Sequence, residues 1–406
     1  MNAPRSILII GSGPAGTYAA IAAKQHDAGA NVVLLTEEAC EPYEKPPLSK
    51  AVLLGTAEAA DAPIAGPGGL ASHDVTLERH CRCIAIDRGA QRVVLQDGRR
   101  LAYDALVIAT GAVPRLIPQL PPDMRNVHYL RNAADAEALK GALAAGGDLL
   151  VVGGGLIGLE AAAAAAERGL RVTVIEVAPR ILARVCYADV GALVHAAHDR
   201  HGVAIRLGTQ IRSAEPLPDG RLAVSIQTGE TLTADAVIVG TGARPDDALA
   251  AAAGLDVDDG IIVDEYCRTA DPAIFAAGDV VRFPGPDGSM RLENWKHALD
   301  QGAVAGRNAA GAHDVYSTVP SFWSEQYDLY IQGVGWPSGG QTVCRPLPGN
   351  RALHFEVSAG RLAYALGINV QRDLAIVRRM IERQVPADPV ALADPAQPLA
   401  AMLKRA

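Results

Sequence analysis

Residues 7–16 read ILIIGSGPAG, and residues 149–158 read LLVVGGGLIG. Each stretch is a short apolar run, which predicts a buried strand, followed by a GxGxxG turn and an alanine-rich segment, which predicts a helix. A lone GxGxxG is weak evidence in a chain with 41 glycines. Two copies in the same strand–turn–helix context predict two Rossmann-like nucleotide-binding units.

The glycines of each fingerprint are predicted to bind a dinucleotide. The first permits a tight turn, the second lets the backbone approach a pyrophosphate, and the third lets the helix pack on the strand. The N-terminus of the helix then faces the negative charge of the phosphates. Two nucleotides held by one chain suggest that electrons pass between them. The candidate residues are Gly11, Gly13, Gly16, Gly153, Gly155 and Gly158.

An acidic residue follows the second strand of each unit, at the offset of about 20 residues that a ribose-binding carboxylate needs. In the first unit this is Glu37, with Glu38 as the competitor and a solvated strand-end acid as the alternative interpretation. In the second unit it is Glu176. A carboxylate there accepts from both ribose hydroxyls and repels a 2′-phosphate, which predicts NADH over NADPH. Arg180 and Arg184 lie nearby in sequence and would partly offset this repulsion.

The amino-acid composition limits the classes of protein to which this chain can belong. With 406 residues, 49% hydrophobic and 20% charged, the chain is expected to form two or three globular domains. A formal net charge of −8 and the lack of a basic tract argue against nucleic-acid binding. No apolar stretch reaches membrane-spanning length, and MNAPRS leads straight into the first strand, so we expect no signal peptide, no membrane contact and a cytoplasmic location.

The six cysteines are scattered, without the CxxC or CxxxxC spacing of a redox disulfide. His80, Cys81 and Cys83 are close enough to suggest a metal site, but an ordinary short strand is the favoured interpretation. We therefore predict neither a redox disulfide nor a metal site.

Two further stretches are alike. Residues 103–110 (YDALVIAT) and 234–241 (ADAVIVGT) each predict a buried parallel strand followed by glycine and a proline turn. Each nucleotide-binding unit is therefore expected to end in the same way. Thr110 and Gly242, at these ends, are candidate cofactor-binding residues.

From residue 315 onward the chain is rich in aromatic residues and alternating strand patterns, which predicts a third, sheet-rich domain. The predicted fold is α/β, with two Rossmann-like nucleotide-binding domains and a C-terminal α+β domain. The predicted boundaries are 1–112 with 242–314 for a discontinuous FAD-binding domain, 113–241 for an NAD-binding domain, and 315–406 for the C-terminal domain.

Longer motifs indicate a more specific class of protein. They are PYEKPPLSK (42–50), GGGLIGLE (153–160), IFAAGDV (274–280), RLENWKHALDQG (291–302) and VPSFWSEQYDLYIQ (319–332). Through them the chain resembles the FAD-dependent NADH–ferredoxin reductases of bacterial ring-hydroxylating dioxygenase and P450 systems, with rubredoxin and putidaredoxin reductases close by. The resemblance covers essentially the whole chain. It implies a glutathione-reductase-like fold with FAD in the first unit and NADH in the second.

The resemblance also implies a redox constellation. Lys50 would place its ammonium near flavin N5, and Glu160 would meet the carboxamide of the nicotinamide and orient it. The alternative is an interdomain salt bridge without a catalytic part. Trp323 would cover the flavin region near the surface where a ferredoxin docks, and the alternative is a packed core tryptophan.

Further cofactor contacts are implied by the same resemblance. Asp279 corresponds to the acid that binds the ribityl chain, and Arg131 to an arginine near the flavin pyrophosphate. Glu293, Trp295 and Gln301 correspond to residues along the far edge of the flavin.

The implied function is hydride transfer from NADH to FAD, followed by release of single electrons to an acidic [2Fe–2S] ferredoxin that supplies an oxygenase, as in aromatic hydrocarbon catabolism. One alternative is an NADH oxidase, peroxidase or disulfide reductase that uses Cys40, and another is an NADH-responsive redox scaffold. Whether the protein is a monomer or a homodimer is left open. A basic docking patch is expected from Arg291, Lys296, Arg307, Arg345 and Arg351.

Overall fold

The computed structural model describes residues 4–285 and 288–404. The first strands are β1 (Ser6–Ile10), β2 (Asn31–Leu35), β3 (Thr76–Glu78), β4 (Cys83–Asp87), β5 (Arg92–Leu95), β6 (Arg100–Ala102), β7 (Ala105–Ile108), β8 (Ala112–Pro114) and β9 (Val127–Tyr129). The next are β10 (Asp148–Val152), β11 (Arg171–Ile175), β12 (Ala204–Arg206), β13 (Ile211–Pro216), β14 (Leu222–Ile226), β15 (Thr231–Ala234), β16 (Ala236–Val239) and β17 (Ala243–Pro245). The last are β18 (Ile261–Ile262), β19 (Ile274–Ala276), β20 (Val281–Gly285), β21 (Gly288–Met290), β22 (Ser321–Gln326), β23 (Leu329–Gly335), β24 (Gln341–Arg345), β25 (Ala352–Ser358) and β26 (Arg361–Ile368).

The helices lie between some of these strands and after the last of them. They are α1 (Pro14–His26), α2 (Ala51–Leu54), α3 (Ala133–Leu143), α4 (Leu156–Glu167), α5 (Ala188–Arg200), α6 (Ala248–Ala252), α7 (Trp295–Ala309), α8 (Gln371–Glu382), α9 (Pro389–Ala393) and α10 (Leu399–Lys404). Short 3₁₀ turns cover Pro46–Ser49, Ala59–Asp61 and Leu70–His73. Among the residues described, no helix combines the length and the apolar character needed to cross a membrane.

The chain forms two compact units. The first contains the described residues of Met1–Lys45, Ala59–Val113 and Ala243–Thr318, and the second those of Pro46–Glu58, Pro114–Gly242 and Val319–Ala406. The second unit therefore takes in most of the predicted NAD-binding and C-terminal domains, together with the short segment that carries Lys50. The three-domain division stays a prediction.

The first unit is built on a parallel sheet of order β3-β2-β1-β7-β19. Its central strand is almost entirely buried, because apolar side chains on both faces are covered, as parallel sheets require. Helices α1 and α7 pack against each other beside it. The strand order reverses at β1, so the carboxyl ends of β1 and its neighbours form the crevice in which such sheets bind ligands.

The second unit repeats this plan in a parallel sheet of order β12-β11-β10-β16-β9. It also contains a five-stranded antiparallel sheet of order β22-β23-β26-β25-β24, which is covered by α8 through Leu374, Val377, Met380 and Ile381. The predicted α/β class, with two Rossmann-like sheets and a C-terminal α+β region, is confirmed.

Candidate functional site

The first and third glycines of each fingerprint are required by the packing of the protein itself. Gly11 has φ 103°, and a Cβ there would lie 2.3 Å from the carbonyl oxygen of Ala109. A Cβ on Gly16 would lie 1.8 Å from the carbonyl oxygen of Gly11. Both distances are far below van der Waals contact, so only glycine fits. The second fingerprint repeats these restrictions at Gly153 and Gly158.

Packing within the protein does not require the middle glycine of either fingerprint. Gly13 and Gly155 have φ −68° and −85°, which any residue adopts. Among the described residues, and apart from the adjoining backbone, no atom lies within 4 Å of a Cβ placed on Gly155, and the nearest to one on Gly13 is Cε of Lys45 at 3.9 Å. Each residue caps a helix, α1 or α4, without a side-chain hydrogen bond. Open space before an uncapped helix N-terminus is what a pyrophosphate needs, so both cradles fit a dinucleotide.

The acids after β2 differ in accessibility. The side chain of Glu37 is 69% exposed and lies 3.9 Å from Arg82. Glu38 is 25% exposed, accepts a hydrogen bond of 2.5 Å from the hydroxyl of Tyr43, and lies 3.6 Å from Lys45. Glu37 therefore offers the more accessible carboxylate to a ribose, and its assignment stays a prediction.

Asp279 follows β19 and lies in a turn that a buried side chain stabilises. The N–H of Gly278 donates to Oε1 of Gln301 at 2.9 Å, and the Gln301 side chain is fully buried. A Cβ on Gly278 would lie 2.7 Å from Cβ of Ala15 in α1. Gln301 thus supports the turn that carries the half-buried Asp279, next to α1, the helix of the first fingerprint.

The residues predicted along the flavin edge lie at the beginning of α7. The indole N–H of Trp295 donates to the carboxylate of Glu44, and burial raises the pKa of Glu44. Glu293 is exposed and forms an ion pair with Arg291. Their roles toward a flavin stay predictions.

Three other predicted cofactor residues follow strands of the parallel sheets. Thr110 follows β7 and donates through Oγ1 to the carbonyl of Asp246 at 2.7 Å. Gly242 follows β16 with φ 103°, and its carbonyl accepts from the N–H of Arg115 at 2.9 Å. Arg131 follows β9. All three lie near carboxyl ends of strands, where open parallel sheets bind ligands.

Glu176 lies directly beyond β11, and its carboxylate is held by backbone donors. Oε2 accepts from the N–H of Gly154 at 2.6 Å, and Oε1 accepts from the N–H of Ala178 at 2.7 Å. Arg180, which the sequence offered as a partner for a 2′-phosphate, donates instead to the carbonyl of Ala183 at 2.8 Å. The carboxylate therefore keeps its place beside the second fingerprint, which favours NADH.

The ion pair of Lys50 with Glu160 forms within the second unit. Glu160, on α4, is 5% exposed, and Nζ of Lys50 lies 2.9 Å from its Oε2. Ser49 donates to the same oxygen, and Ser324 donates to Oε1 at 2.5 Å. The Lys50 ammonium also donates to the carbonyl of Pro46 at 3.1 Å. A carboxylate has about four acceptor positions, so these three donors leave about one position open.

A chain of buried hydrogen bonds extends from this carboxylate. Nε2 of Gln326 donates to Oγ of Ser324 at 3.1 Å, which leaves Oε1 of Gln326 to accept from Nε2 of His198 at 2.8 Å. Nδ1 of His198 then accepts from the hydroxyl of Tyr327 at 3.2 Å. Burial lowers the pKa of His198, so its ring is neutral at neutral pH. Every donor in the chain therefore points toward Glu160.

The sequence prediction missed Ser49, Ser324, Gln326 and His198 as parts of the site. The available signal was strand alternation in SFWSEQ, where Ser324 and Gln326 fall on one buried face and Trp323 on the other. Trp323 is half-buried and pairs in register with Gln332 on β23.

The cysteines form no disulfide among the residues that the structure describes. All six cysteines, which lie within the described residues, are free. Cys40 is half-buried, and burial and the charge of Glu38 raise the pKa of its thiol. A raised pKa disfavours the thiolate, which is the nucleophile that oxidases and peroxidases need.

The predicted docking patch is corrected by the structure. Arg345 is buried and donates to three backbone carbonyls, so its assignment to a docking surface is wrong. Each of the other four cations is paired with an intramolecular carboxylate: Arg291 with Asp259 and Glu293, Lys296 with Asp300, Arg307 with Asp314, and Arg351 with Asp373.

Two glycine turns with open helix N-termini and a buried acid–lysine pair are the features expected of an oxidoreductase that binds two nucleotides. Residues 5–302 match the pyridine nucleotide-disulphide oxidoreductase family, and residues 321–403 match the reductase C-terminal family. The chain therefore belongs to the pyridine nucleotide-disulphide oxidoreductases and is an enzyme that uses FAD and NADH.

Individual relatives agree with this. The chain is 41% identical to the ferredoxin–NAD(+) reductase component of the anthranilate 1,2-dioxygenase system of Burkholderia cepacia, over 96% of this chain and 97% of the relative. It is 39% identical to rhodocoxin reductase of Rhodococcus erythropolis, over 96% and 92% of the two chains. The crystal structure of the covalent putidaredoxin reductase–putidaredoxin complex is similar with a TM-score of 0.94 and 34% identity, covering 100% of this chain and 99% of that chain.

Proposed function

We propose that this chain is the NADH-dependent reductase of a ferredoxin that supplies an oxygenase. The observation that carries the proposal is the buried carboxylate of Glu160, preformed with Lys50 and left with one acceptor position. Relatives that match nearly the whole chain are named as reductases of dioxygenase and P450-type systems. When bound, FAD supplies the conversion between the two electrons of a hydride and the single electrons that a [2Fe–2S] ferredoxin accepts.

Glu160 positions the nicotinamide. Its open acceptor position is suited to an N–H of the carboxamide, and a carboxylate that is already held by three donors cannot rotate away from that contact. Holding the nicotinamide in one orientation removes the entropy cost of aligning the reacting atoms. Lys50 would supply a fixed positive charge that compensates the negative charge of a flavin when the flavin is reduced.

Ser324, Gln326 and His198 act behind Glu160 as positioning residues. Each donates toward the carboxylate, and His198 stays neutral, so the chain holds Glu160 without competing for its charge. Buried polar groups are costly unless each is satisfied, and here each is.

A reductase of this kind needs no thiol in its reaction. The raised pKa of Cys40 fits that requirement and weakens the oxidase or peroxidase alternative. Six unpaired cysteines also fit a reducing compartment, so we place the protein in the cytoplasm.

The test is an anaerobic titration of the FAD-loaded protein with NADH, followed by separate additions of a [2Fe–2S] ferredoxin, cytochrome c and peroxide. We expect the NADH-reduced flavin to be reoxidised quickly by ferredoxin, and equally in Cys40→Ser. Fast reoxidation by peroxide that is lost in Cys40→Ser would identify a peroxidase. Slow reoxidation by every acceptor, with dimers that form only with NADH, would identify a scaffold.

A further inference from the structure

A cluster of potential metal ligands lies in the second unit, apart from the residues discussed above. Cys344 on β24 pairs in register with His354 on β25, and Asp189 is in the first turn of α5. One ligand atom from each residue lies within 4.8 Å of the other two. Within residues 4–285 and 288–404 this is the one place where three such side chains meet so closely.

The imidazole of His354 is placed for a ligand rather than for a simple ion pair. The residue is 6% exposed, and its buried Nε2 has no hydrogen-bond partner. Oδ2 of Asp189 lies 2.8 Å from Nε2, but outside the direction that a hydrogen bond from the ring requires. The ring of Tyr187 packs against the imidazole with centroids 4.7 Å apart. Nε2 is thus a buried ring nitrogen without a hydrogen bond, beside a carboxylate oxygen.

We propose that Asp189, Cys344 and His354 bind a zinc ion, with water as the fourth ligand. Thiolate, imidazole and carboxylate are the donors that Zn²⁺ takes in proteins, whereas Mg²⁺ and Ca²⁺ take oxygen ligands. Zn²⁺ ligand atoms lie about 3.5 Å apart in a tetrahedral site. Asp189 and Cys344 are exposed, so their side chains can adjust to this spacing around the buried His354.

Each element contributes one ligand, which explains why the sequence spacing did not reveal the site. Cys344 is on the edge strand of the antiparallel sheet, His354 is on its neighbour, and Asp189 arrives from a distant helix. A bound ion would tie the beginning of α5 to β24 and β25. The contact of the Tyr187 hydroxyl with Oε1 of Glu356, at 2.7 Å, already joins the same two places.

The test is equilibrium dialysis of FAD-loaded, chelator-treated protein against Zn²⁺, with the bound metal measured by elemental analysis. We expect about one Zn²⁺ per chain, and binding at least about tenfold weaker in Cys344→Ser and in Asp189→Asn. Both substituted residues are exposed, so these variants decide the question even if His354→Gln fails to fold. In parallel, alkylation of Cys344, followed by mass spectrometry of its peptide, should be slowed by Zn²⁺ and not by Mg²⁺.

Two matched controls separate this site from adventitious binding. His195→Gln removes a histidine of α5 that faces a carboxylate, that of Asp199 at 3.7 Å, and Cys83→Ser removes a half-buried free thiol. Both variants should bind Zn²⁺ as the parent does. Unchanged affinity in Cys344→Ser and Asp189→Asn, or unchanged alkylation of Cys344 with Zn²⁺ present, would overturn the proposal.

Discussion

The ammonium of Lys50 lies 2.9 Å from a carboxylate oxygen of Glu160 that is almost fully enclosed by protein. Removing one partner of a buried ion pair costs about 3–5 kcal/mol, because the other charge is left uncompensated. The pair is therefore a fixed feature of the second unit. It leaves one acceptor position of the carboxylate and one adjacent positive charge, and we propose that NADH binds there.

Glu160→Gln should slow flavin reduction by about 10–100-fold at saturating NADH, since hydrogen bonds to charged groups are worth about 1.5–3 kcal/mol. The measurement is anaerobic stopped-flow absorbance of the bound flavin. Glu167→Gln is the matched control, because Glu167 is an exposed acid at the end of the same helix. A change of less than about twofold in Glu160→Gln would contradict the proposed role.

Ser324→Ala should slow the same step about tenfold, because Oε1 of Glu160 loses its donor and the carboxylate is freed to move. Ser324→Thr retains a hydroxyl and should restore most of the rate, whereas a purely steric role would not be rescued in this way. Affinity for FAD, followed by flavin fluorescence, should be the same in both variants. An alanine variant as fast as the parent would show that Ser324 does not position Glu160.

Gly155→Ala should fold normally and lose NADH affinity by about tenfold or more, because the new methyl group enters space that only a ligand needs. Folding is measured by thermal unfolding. NADH affinity is measured by isothermal titration calorimetry, which does not depend on a flavin signal. Gly141→Ala, in α3, is the control, since a Cβ there also has open space around it in the part of the chain that the structure describes. Equal NADH affinity in the two variants would argue against a pyrophosphate at this turn.

Glu176→Gln should lower kcat/KM for NADH, raise it for NADPH, and so reduce the preference by about 10–100-fold. The carboxylate accepts from two backbone N–H groups, which a carboxamide oxygen replaces only in part. Steady-state kinetics with both nucleotides measure the ratio. Glu215→Gln, an exposed acid on β13, should leave it unchanged. A preference that persists in Glu176→Gln would mean that another residue selects the nucleotide.

The parts of the fold that could be predicted are those whose signal is local. Gly11 and Gly153 predict turns, and the apolar runs before them predict buried strands. The pairing of Lys50 with Glu160 came from resemblance, because nothing local links two segments so far apart. Ser324 and His198 were missed for the same reason, since these two residues and Glu160 lie on three separate segments of the chain.

Arg345 shows the opposite error. Its charge suggested a docking surface, but its guanidinium donates to the carbonyls of Leu392, Asp394 and Gln397 around the short helix α9. Burial of a cation depends on carbonyls that only the folded chain brings together.

The most direct test of the proposed function is an electron count under anaerobic conditions. The FAD-loaded protein is mixed with a limiting amount of NADH and excess oxidised [2Fe–2S] ferredoxin, and reduced ferredoxin is measured by its absorbance change. Because a hydride carries two electrons and the ferredoxin accepts one, the account predicts about two reduced ferredoxins per NADH. The contrary result would be that NADH is consumed but no ferredoxin is reduced, and that the electrons instead reduce peroxide or dioxygen once one of these is admitted. That result would contradict the proposed function.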